Sequence, residues 1–155
     1  MATLERAIEI ATKAHKGQTD KSGAPYIMHL IRVMQRGDNE TEKICGILHD
    51  LVEDTEWTFD DLVREGFSSA IIDVLKLVTK TSDDEEYTHF TKRIMTNRTA
   101  IAVKLNDLSD NMDIKRLKEL TEKDLKRLNK YIKAYHTLSE AKWSAHSKDV
   151  LLNAE

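Results

Sequence analysis

The sequence predicts an all-α, single-domain helical bundle. Apolar residues recur three and four positions apart along most of the chain, which is typical of amphipathic helices. The 155 residues include one proline and five glycines, so few positions interrupt a helix. This length fits one domain with a hydrophobic core. We expect the domain to span residues 1–143 and a polar tail to cover 144–155.

The first third of the chain contains helical stretches separated by breaks. The first helix should end before Gly17, because glycine favours the conformations that terminate helices, and Pro25 closes the loop that follows. His29 and His49 therefore fall on separate helices. The expected spans are about residues 3–15, 27–36 and 41–52.

Helix-capping pairs mark further helix starts. A serine or threonine followed three residues later by an acidic residue can satisfy backbone N–H groups of the first turn. Apolar spacing predicts one helix over 71–78 and another over 101–108 that carries Asp107. The last helix is expected to end near Trp143. The capping pairs are Thr58 with Asp61, Ser82 with Glu85, and Thr121 with Asp124.

Charge and cysteine content limit the classes of function. Lysine and arginine total 24 against 27 acidic residues, a formal net charge of −3, which gives no general attraction to nucleic acid or to an anionic membrane. The one cysteine, Cys45, lies in the apolar run 44–48, where a buried thiol is expected. The charged N-terminal segment is neither a signal peptide nor a membrane span. We expect a cytoplasmic protein without nucleic-acid or membrane partners.

An adjacent histidine and aspartate, His49 and Asp50, lie in the apolar context of the third helix. Polar groups are costly to bury without a partner. A divalent metal satisfies both, because imidazole nitrogen and carboxylate oxygen suit Mn²⁺, Fe²⁺ or Zn²⁺. Taken alone, such a dipeptide more often indicates a solvated aspartate beside a hydrogen-bonded histidine, so the neighbouring residues decide the interpretation.

Two more acids, Glu53 and Asp54, follow one turn later on the same helix face. On a solvated surface this acidic cluster would repel itself without benefit. Beside a metal, two carboxylates can orient water and transfer a proton to a leaving oxygen. We therefore predict that Glu53 and Asp54 are catalytic, with an acidic helix end as the structural alternative.

Five dispersed motifs give the chain a family resemblance. In order they are AHKGQ at 14–18, KSGAPYIMH at 21–29, GILHDLVEDTEWT at 46–58, LVTK at 77–80 and VKLNDLSDNM at 103–112. Together they resemble the hydrolase domain of RelA/SpoT homologues, and the chain length is similar to that of a stand-alone small alarmone hydrolase. The resemblance implies an HD-type helical bundle. It further implies removal of the 3′-pyrophosphate from (p)ppGpp with bound manganese, another divalent metal being the alternative.

The resemblance also assigns residues, position by position. Tyr131 is matched only by its separation from Asn111, since no motif surrounds it, and a surface aromatic is the alternative there. The family's metal ligands match His29, His49, Asp50 and Asp107, its catalytic acids match Glu53 and Asp54, and its phosphate- and nucleotide-binding residues match Lys21, Asn111 and Tyr131.

Three positions depart from the family pattern. Asp20 stands where the family commonly has an arginine, Leu108 replaces an arginine, and Asp110 replaces a histidine. We expect these changes to lower the positive charge facing an anionic substrate and to weaken its binding. Lys92 or Arg93 could supply the missing contact, although a charged helix face explains them equally well.

Three functions are consistent with these residues. The leading hypothesis is hydrolysis of (p)ppGpp, with a guanine nucleotide as substrate and metal-activated water as nucleophile. The second keeps the metal and the fold but changes the substrate to another nucleotide or a 3′-phosphoester. The third is an inactive nucleotide-sensing module, which the intact set of predicted ligands and catalytic acids argues against.

The remaining histidines are expected outside the metal site. His15 ends the first helix on its apolar side, where a structural hydrogen bond near the loop is predicted. The others, His89, His136 and His146, lie in polar segments and are expected at the surface.

Overall fold

Helices form all the regular secondary structure within residues 1–152, which the computed structural model describes, with side chains through residue 144. One isolated β-bridge joins Thr19 to Pro25. The prediction of an all-α fold is confirmed. The helices are α1 (Leu4–Ala14), α2 (Ile27–Gln35), α3 (Glu40–Leu48), α4 (Leu51–Asp54), α5 (Phe59–Arg64), α6 (Ser69–Val78), α7 (Tyr87–Ile94), α8 (Arg98–Asn111) and α9 (Glu122–Leu152), with a 3₁₀ helix at Ile114–Arg116.

Two of the predicted capping pairs begin helices as expected. Thr58 and Asp61 form a complete capping box at the start of α5, in which each side chain accepts the other residue's backbone N–H. Thr121 and Asp124 make the same reciprocal hydrogen bonds at the start of α9. These contacts satisfy N–H groups that have no partner inside the helix.

The predicted helix start at Ser82 is wrong, because α7 begins at Tyr87. The Glu85 carboxylate forms an ion pair with Arg93, whose Nε lies 2.9 Å from Oε1, and it accepts the backbone N–H of Thr81. Arg93 and the Thr81 N–H thus occupy both oxygens of the carboxylate that the predicted capping box would have used.

The helix predicted over 41–52 is broken at His49 and Asp50. These two residues form the turn between α3 and α4, with Asp50 at φ −101° and ψ 1°. Neighbouring residues of an unbroken helix point about 100° apart. The turn instead brings His49 Nε2 within 3.0 Å of Asp50 Oδ2, so the break directs both side chains to one place.

The last helix continues past the predicted end near Trp143 and reaches Leu152. No proline or glycine follows Trp143 to stop it. A separate tail at 144–155 stays a prediction, and the side chain of His146 lies outside the described residues. Within residues 1–152, no helix combines the length and the apolar composition that crossing a membrane requires.

Helix α3 lies at the centre of the bundle and packs against α1, α2, α6 and α8. Its buried residues include Cys45, which is inaccessible to solvent as predicted. Burial raises the pKa of the Cys45 thiol to about 12, so the thiol stays protonated and unreactive at neutral pH.

Gly46 determines how closely α2 and α3 approach. A Cβ atom at this position would lie 3.1 Å from the Met34 Cα, which is closer than packed carbon atoms normally come. Only glycine therefore fits this crossing without displacing backbone. The close approach brings His29 on α2 beside His49 at the end of α3.

Candidate metal centre

Two buried imidazoles face each other where α2 meets the end of α3. The ring centroids of His29 and His49 lie 5.4 Å apart. His29 Nδ1 is 2.7 Å from Asp110 Oδ2, and His49 Nδ1 donates to the Gly46 carbonyl at 2.8 Å. Both Nε2 atoms are buried, and neither makes a hydrogen bond of regular geometry to another described residue, although carboxylate oxygens lie 3.0–3.2 Å away. Since buried nitrogens are almost always satisfied, this pair is suited to hold a metal.

Carboxylates from two further positions surround these nitrogens. Asp50 Oδ2 lies 3.0 Å from His49 Nε2 and 3.8 Å from His29 Nε2. From α8, Asp107 Oδ1 lies 3.2 Å from each Nε2. Ligands bound 2.0–2.2 Å from one ion are about 3 Å apart. The ligand atoms of His29, His49 and Asp50 all lie within 4.8 Å of one another, a spacing that suits one divalent cation, and Asp107 approaches the same two histidines from α8.

The charges of the cluster also favour a cation. Burial alone would lower the pKa of His49, but Asp50 and Asp107 raise it well above its usual value. Burial alone would raise the pKa of Asp50, but His49 lowers it to about 2. Both carboxylates thus remain ionised inside the protein, and a metal would neutralise them.

Neighbouring donors fix the orientation of both aspartates. The Tyr26 hydroxyl donates to Asp50 Oδ2 at 2.6 Å. On Asp107, Lys104 Nζ donates to Oδ2 at 2.7 Å, and Asn111 Nδ2 donates to Oδ1 at 2.8 Å. Burial, followed by the Asp50 charge, raises the pKa of Tyr26, so the phenol stays a donor. The cluster is therefore preorganised by its surroundings.

Glu53 and Asp54 lie on α4, on the solvent side of the cluster. Both side chains are exposed, yet neighbouring atoms remove part of their hydration; Glu53 lines the cleft described below, and Asp54 is not among its lining residues. This desolvation, together with the charge of Asp50, raises the pKa of each carboxyl group. Glu53 Oε1 accepts the backbone N–H of Lys80 at 3.2 Å, and Asp54 Oδ2 accepts from Gln18 Nε2 at 3.1 Å.

The cluster opens into a cleft of about 370 Å³. Asp50, Glu53 and Asp107 line it. Positive and aromatic side chains line it as well, and we call this second set the outer wall: Lys21, Lys80, Lys104, Arg127 and Lys130 with Tyr87, Phe90 and Tyr131.

Cations on the outer wall crowd one another. Lys130 Nζ lies 4.8 Å from the Tyr87 ring centroid and 5.5 Å from that of Tyr131. Burial, and then the charges of Lys80 and Lys104, lower the pKa of Lys130. Mutual repulsion of this kind favours binding of an anion between the groups.

The sequence profile of the HD domain family matches residues 7–105. This range contains His29 and the His49–Asp50 pair, and Asp107 follows just after it. The chain belongs to the HD domain family. An HD domain implies dependence on a divalent metal, in agreement with the donor set described above.

Relatives of this HD domain include much longer proteins. A guanosine-3′,5′-bis(diphosphate) 3′-pyrophosphohydrolase of Aquifex aeolicus is 29% identical over 136 residues, covering 82% of this chain and 19% of that protein. A GTP pyrophosphokinase of Streptomyces coelicolor is 40% identical over 81 residues, covering 50% of this chain and 9% of that protein. The chain thus spans less than a fifth of these relatives.

A solved structure shares the fold over nearly the whole HD domain. It is a metazoan SpoT orthologue described as hydrolysing ppGpp, with a TM-score of 0.71 and 21% sequence identity. The alignment covers 89% of this chain and 85% of the orthologue. The HD-type bundle predicted from sequence is therefore confirmed.

The structure brings the predicted substrate-binding residues to the cleft. Lys21, Asn111 and Tyr131 all line it. Asn111 also contacts the metal cluster through Asp107, and Tyr131 belongs to the outer wall. Lys21 lies on the loop before α2, and its side chain is exposed.

The expectation that three departures remove positive charge from the cleft is wrong for Leu108 and Asp110. Leu108 is fully buried in the core, and Asp110 is 1% exposed behind His29. Asp20 does line the cleft, but its carboxylate caps the loop at Ser22 and pairs with Arg116 at 3.2 Å. The direction of each side chain depends on helix packing, which the motif alone does not specify.

The suggested replacement cations, Lys92 and Arg93, are not among the residues that line the cleft. Arg93 is occupied by Glu85 and by the Thr79 carbonyl. Sequence reasoning instead missed four cations that do line it. Lys80 and Lys104 lie within the motifs LVTK and VKLNDLSDNM. Arg127 and Lys130 lie near Tyr131 on α9, and their three-residue spacing, which places them on one helix face, could have indicated them.

Of the remaining histidines, His15, His89 and His136 lie where they were expected. His15 is buried, and its Nδ1 is 2.7 Å from Gln18 Oε1, which confirms a structural hydrogen bond near the loop. His89 and His136 are exposed. None of the three contacts the metal cluster.

Proposed function

We propose that this HD domain hydrolyses guanosine 3′,5′-bis(diphosphate) and its triphosphate form, releasing the 3′-pyrophosphate with manganese as the metal. The observation that carries the proposal is a cluster with two orphaned Nε2 atoms that opens into a cleft with a cationic, aromatic wall. Such a cleft suits a nucleotide with several phosphates. The activity given in the names of the Aquifex relative and of the metazoan structure supports the same substrate.

The metal would be held by His29, His49, Asp50 and Asp107. A bound divalent ion supplies Lewis acidity and lowers the pKa of water. Manganese suits this mixture of imidazole and carboxylate donors. Tyr26 and Asn111 keep the two carboxylates in place through the hydrogen bonds described above.

Glu53 and Asp54 would handle water and protons. A carboxyl group whose pKa is raised toward neutrality exchanges protons more effectively at physiological pH. Glu53 lines the cleft, and the Lys80 backbone N–H fixes one of its oxygens. Asp54 is held beside it by Gln18. Together they can orient the attacking water and protonate the leaving oxygen.

The outer wall would bind the nucleotide. The Tyr87 and Tyr131 rings, with centroids 6.1 Å apart, offer flat apolar surfaces for a base or a ribose. Ammonium groups of Lys80 and Lys130 can neutralise phosphate oxygens. Lys21 and Asn111 line the same cleft, and a 3′-pyrophosphate bound there would contact both them and the metal cluster.

The product identifies the reaction. Purified protein is incubated with Mn²⁺ and ppGpp, pppGpp, deoxynucleoside triphosphates, nucleoside monophosphates or 3′-phosphorylated nucleotides, and both phosphorus products are identified. We expect pyrophosphate from ppGpp. Orthophosphate from a monophosphate, with ppGpp intact, would contradict the alarmone substrate and favour a different HD phosphohydrolase. Binding of metal and nucleotide without any turnover would favour a sensor.

A further inference from the structure

A buried carboxylate lies directly behind the metal cluster. Asp110 on α8 is 1% exposed, and its Oδ2 lies 2.7 Å from His29 Nδ1. We propose that Asp110 is a positioning residue for the metal, which holds His29 in the Nδ1–H tautomer and directs Nε2 at the ion. This inference rests on the metal site of the proposed function.

Arginines surround the same carboxylate. Arg32 donates from Nε to Oδ1 at 2.7 Å and from Nη2 to Oδ2 at 3.1 Å. Arg36 Nη1 reaches Oδ1 at 3.2 Å, and Arg116 Nη2 reaches Oδ2 at 3.4 Å. Both carboxylate oxygens therefore face donors. Positive charges beside both oxygens favour the ionised carboxylate.

An ionised carboxylate at this position has a defined effect on an imidazole. Only the protonated Nδ1 can donate to Asp110, and the lone pair then resides on Nε2. The hydrogen bond also fixes the rotation of the ring and increases the basicity of Nε2. His49 is oriented in the same way by a neutral acceptor, because its Nδ1–H donates to the Gly46 carbonyl. The two histidines are thus oriented by different groups, and only His29 depends on a side chain.

The arginines stabilise this arrangement without contacting the imidazole. They come from α2 and from the 3₁₀ helix, and they compensate a charge that would otherwise be costly to bury. Arg36 is a useful control, because it contacts Oδ1 and not the oxygen that faces His29. Removing it should disturb the packing around Asp110 while leaving the His29 hydrogen bond intact.

Asp110→Asn tests the proposal with almost no change in volume. An amide offers one oxygen and one NH₂ group, whereas both positions face donors, so either His29 Nδ1–H or Arg32 loses its acceptor. We expect affinity for Mn²⁺ to fall by about 10- to 100-fold, as is typical when an outer partner of a metal-bound histidine is lost. Arg36→Met should bind Mn²⁺ as the parent does.

The affinities are measured on metal-free protein by titration with Mn²⁺ alone, following free Mn²⁺ by electron paramagnetic resonance. Asp110→Asn binding as tightly as the parent, or Arg36→Met losing as much affinity as Asp110→Asn, would overturn the positioning role. A parent that binds no Mn²⁺ would overturn the metal site as well. Because no nucleotide is present, the result does not depend on which substrate is cleaved.

A measurement on the unaltered protein covers the case in which Asp110→Asn does not fold. Long-range ¹H–¹⁵N NMR of the Zn²⁺-loaded parent reports which ring nitrogen of His29 carries the proton. We expect a protonated Nδ1 and a metal-shifted Nε2. A proton on Nε2 would contradict the proposal whatever the variants do.

Discussion

The metal cluster and the outer wall of the cleft are built in opposite ways. Side chains of the cluster are buried, come from separated helices, and hold each other through contacts of 2.6–3.8 Å. The outer wall consists largely of long side chains such as Lys130, whose charge lies over two rings and is exposed to solvent. A closed network loses its function when one member is removed, whereas contributions from exposed charges are graded.

Removal of a metal ligand should give the largest effect. Asp107→Ala takes away an oxygen that lies 3.2 Å from the Nε2 atom of each imidazole and leaves the Lys104 ammonium without its carboxylate. We expect a loss of metal affinity greater than the roughly 100-fold caused by losing an outer partner, and no detectable turnover. Elemental analysis measures the metal; full occupancy in this variant would remove Asp107 from the site. Chelation of the parent should also lower its melting temperature.

Neutralising the two proposed catalytic acids should separate chemistry from metal binding. Glu53→Gln and Asp54→Asn should each keep the metal yet reduce kcat by about 10²- to 10⁴-fold, as is typical of acid–base groups. Metal content by elemental analysis is the control in both cases. Parent-like turnover in both variants would show that the acids have another role.

Loss of one outer-wall cation should have a moderate and different effect. Lys130→Met removes a charge from the outer wall of the cleft. If that wall binds the nucleotide as proposed, KM should rise by about 10- to 100-fold, corresponding to one charged hydrogen bond, with a smaller change in kcat. Lys133→Met on the same helix is the matched control, since Lys133 does not line the cleft. Equal KM values in the two variants would show that the substrate phosphates do not bind at Lys130.

The pH profile should respond to Gln18. Burial raises the pKa of Asp54, and the hydrogen bond from Gln18 opposes that rise. Gln18→Met removes the opposing contribution, so the pKa should rise further. If ionised Asp54 accepts a proton during turnover, activity is lost as pH falls through this pKa, and the acid limb of kcat should move to higher pH. The alkaline limb is the internal control; an unmoved acid limb would assign it to another group.

The smallest effect is expected at Arg93, the cation that the sequence suggested as a phosphate contact. Its guanidinium is already paired with Glu85. Arg93→Met should therefore lower the stability by no more than about 1 kcal/mol, as for a partly exposed ion pair, while KM stays unchanged. Thermal unfolding and steady-state kinetics test both parts. A raised KM would show that Arg93 contributes to substrate binding after all.

Local patterns in the sequence predicted most of the helices, and the family resemblance nominated the site residues. Apolar spacing and the Thr58 and Thr121 capping pairs depend on hydrogen bonds within a few residues, so they can be read along the chain. The candidate ligands were named from motifs on separate helices, and the structure brings all four together. The Ser82 prediction failed because Arg93, outside the local motif, binds Glu85.

Only the tertiary structure decided where the side chains point. His29 and Asp110 are 81 positions apart, and no local rule pairs them; they meet because Gly46 lets α2 approach α3 while α8 packs beside both. The same packing buries Leu108 and brings Lys130 to the cleft. Sequence alone therefore determined which groups were available and on which elements, because those depend on local periodicity. Packing of the helices determined which groups meet, because a helix can turn any of its faces to the core until its neighbours are fixed.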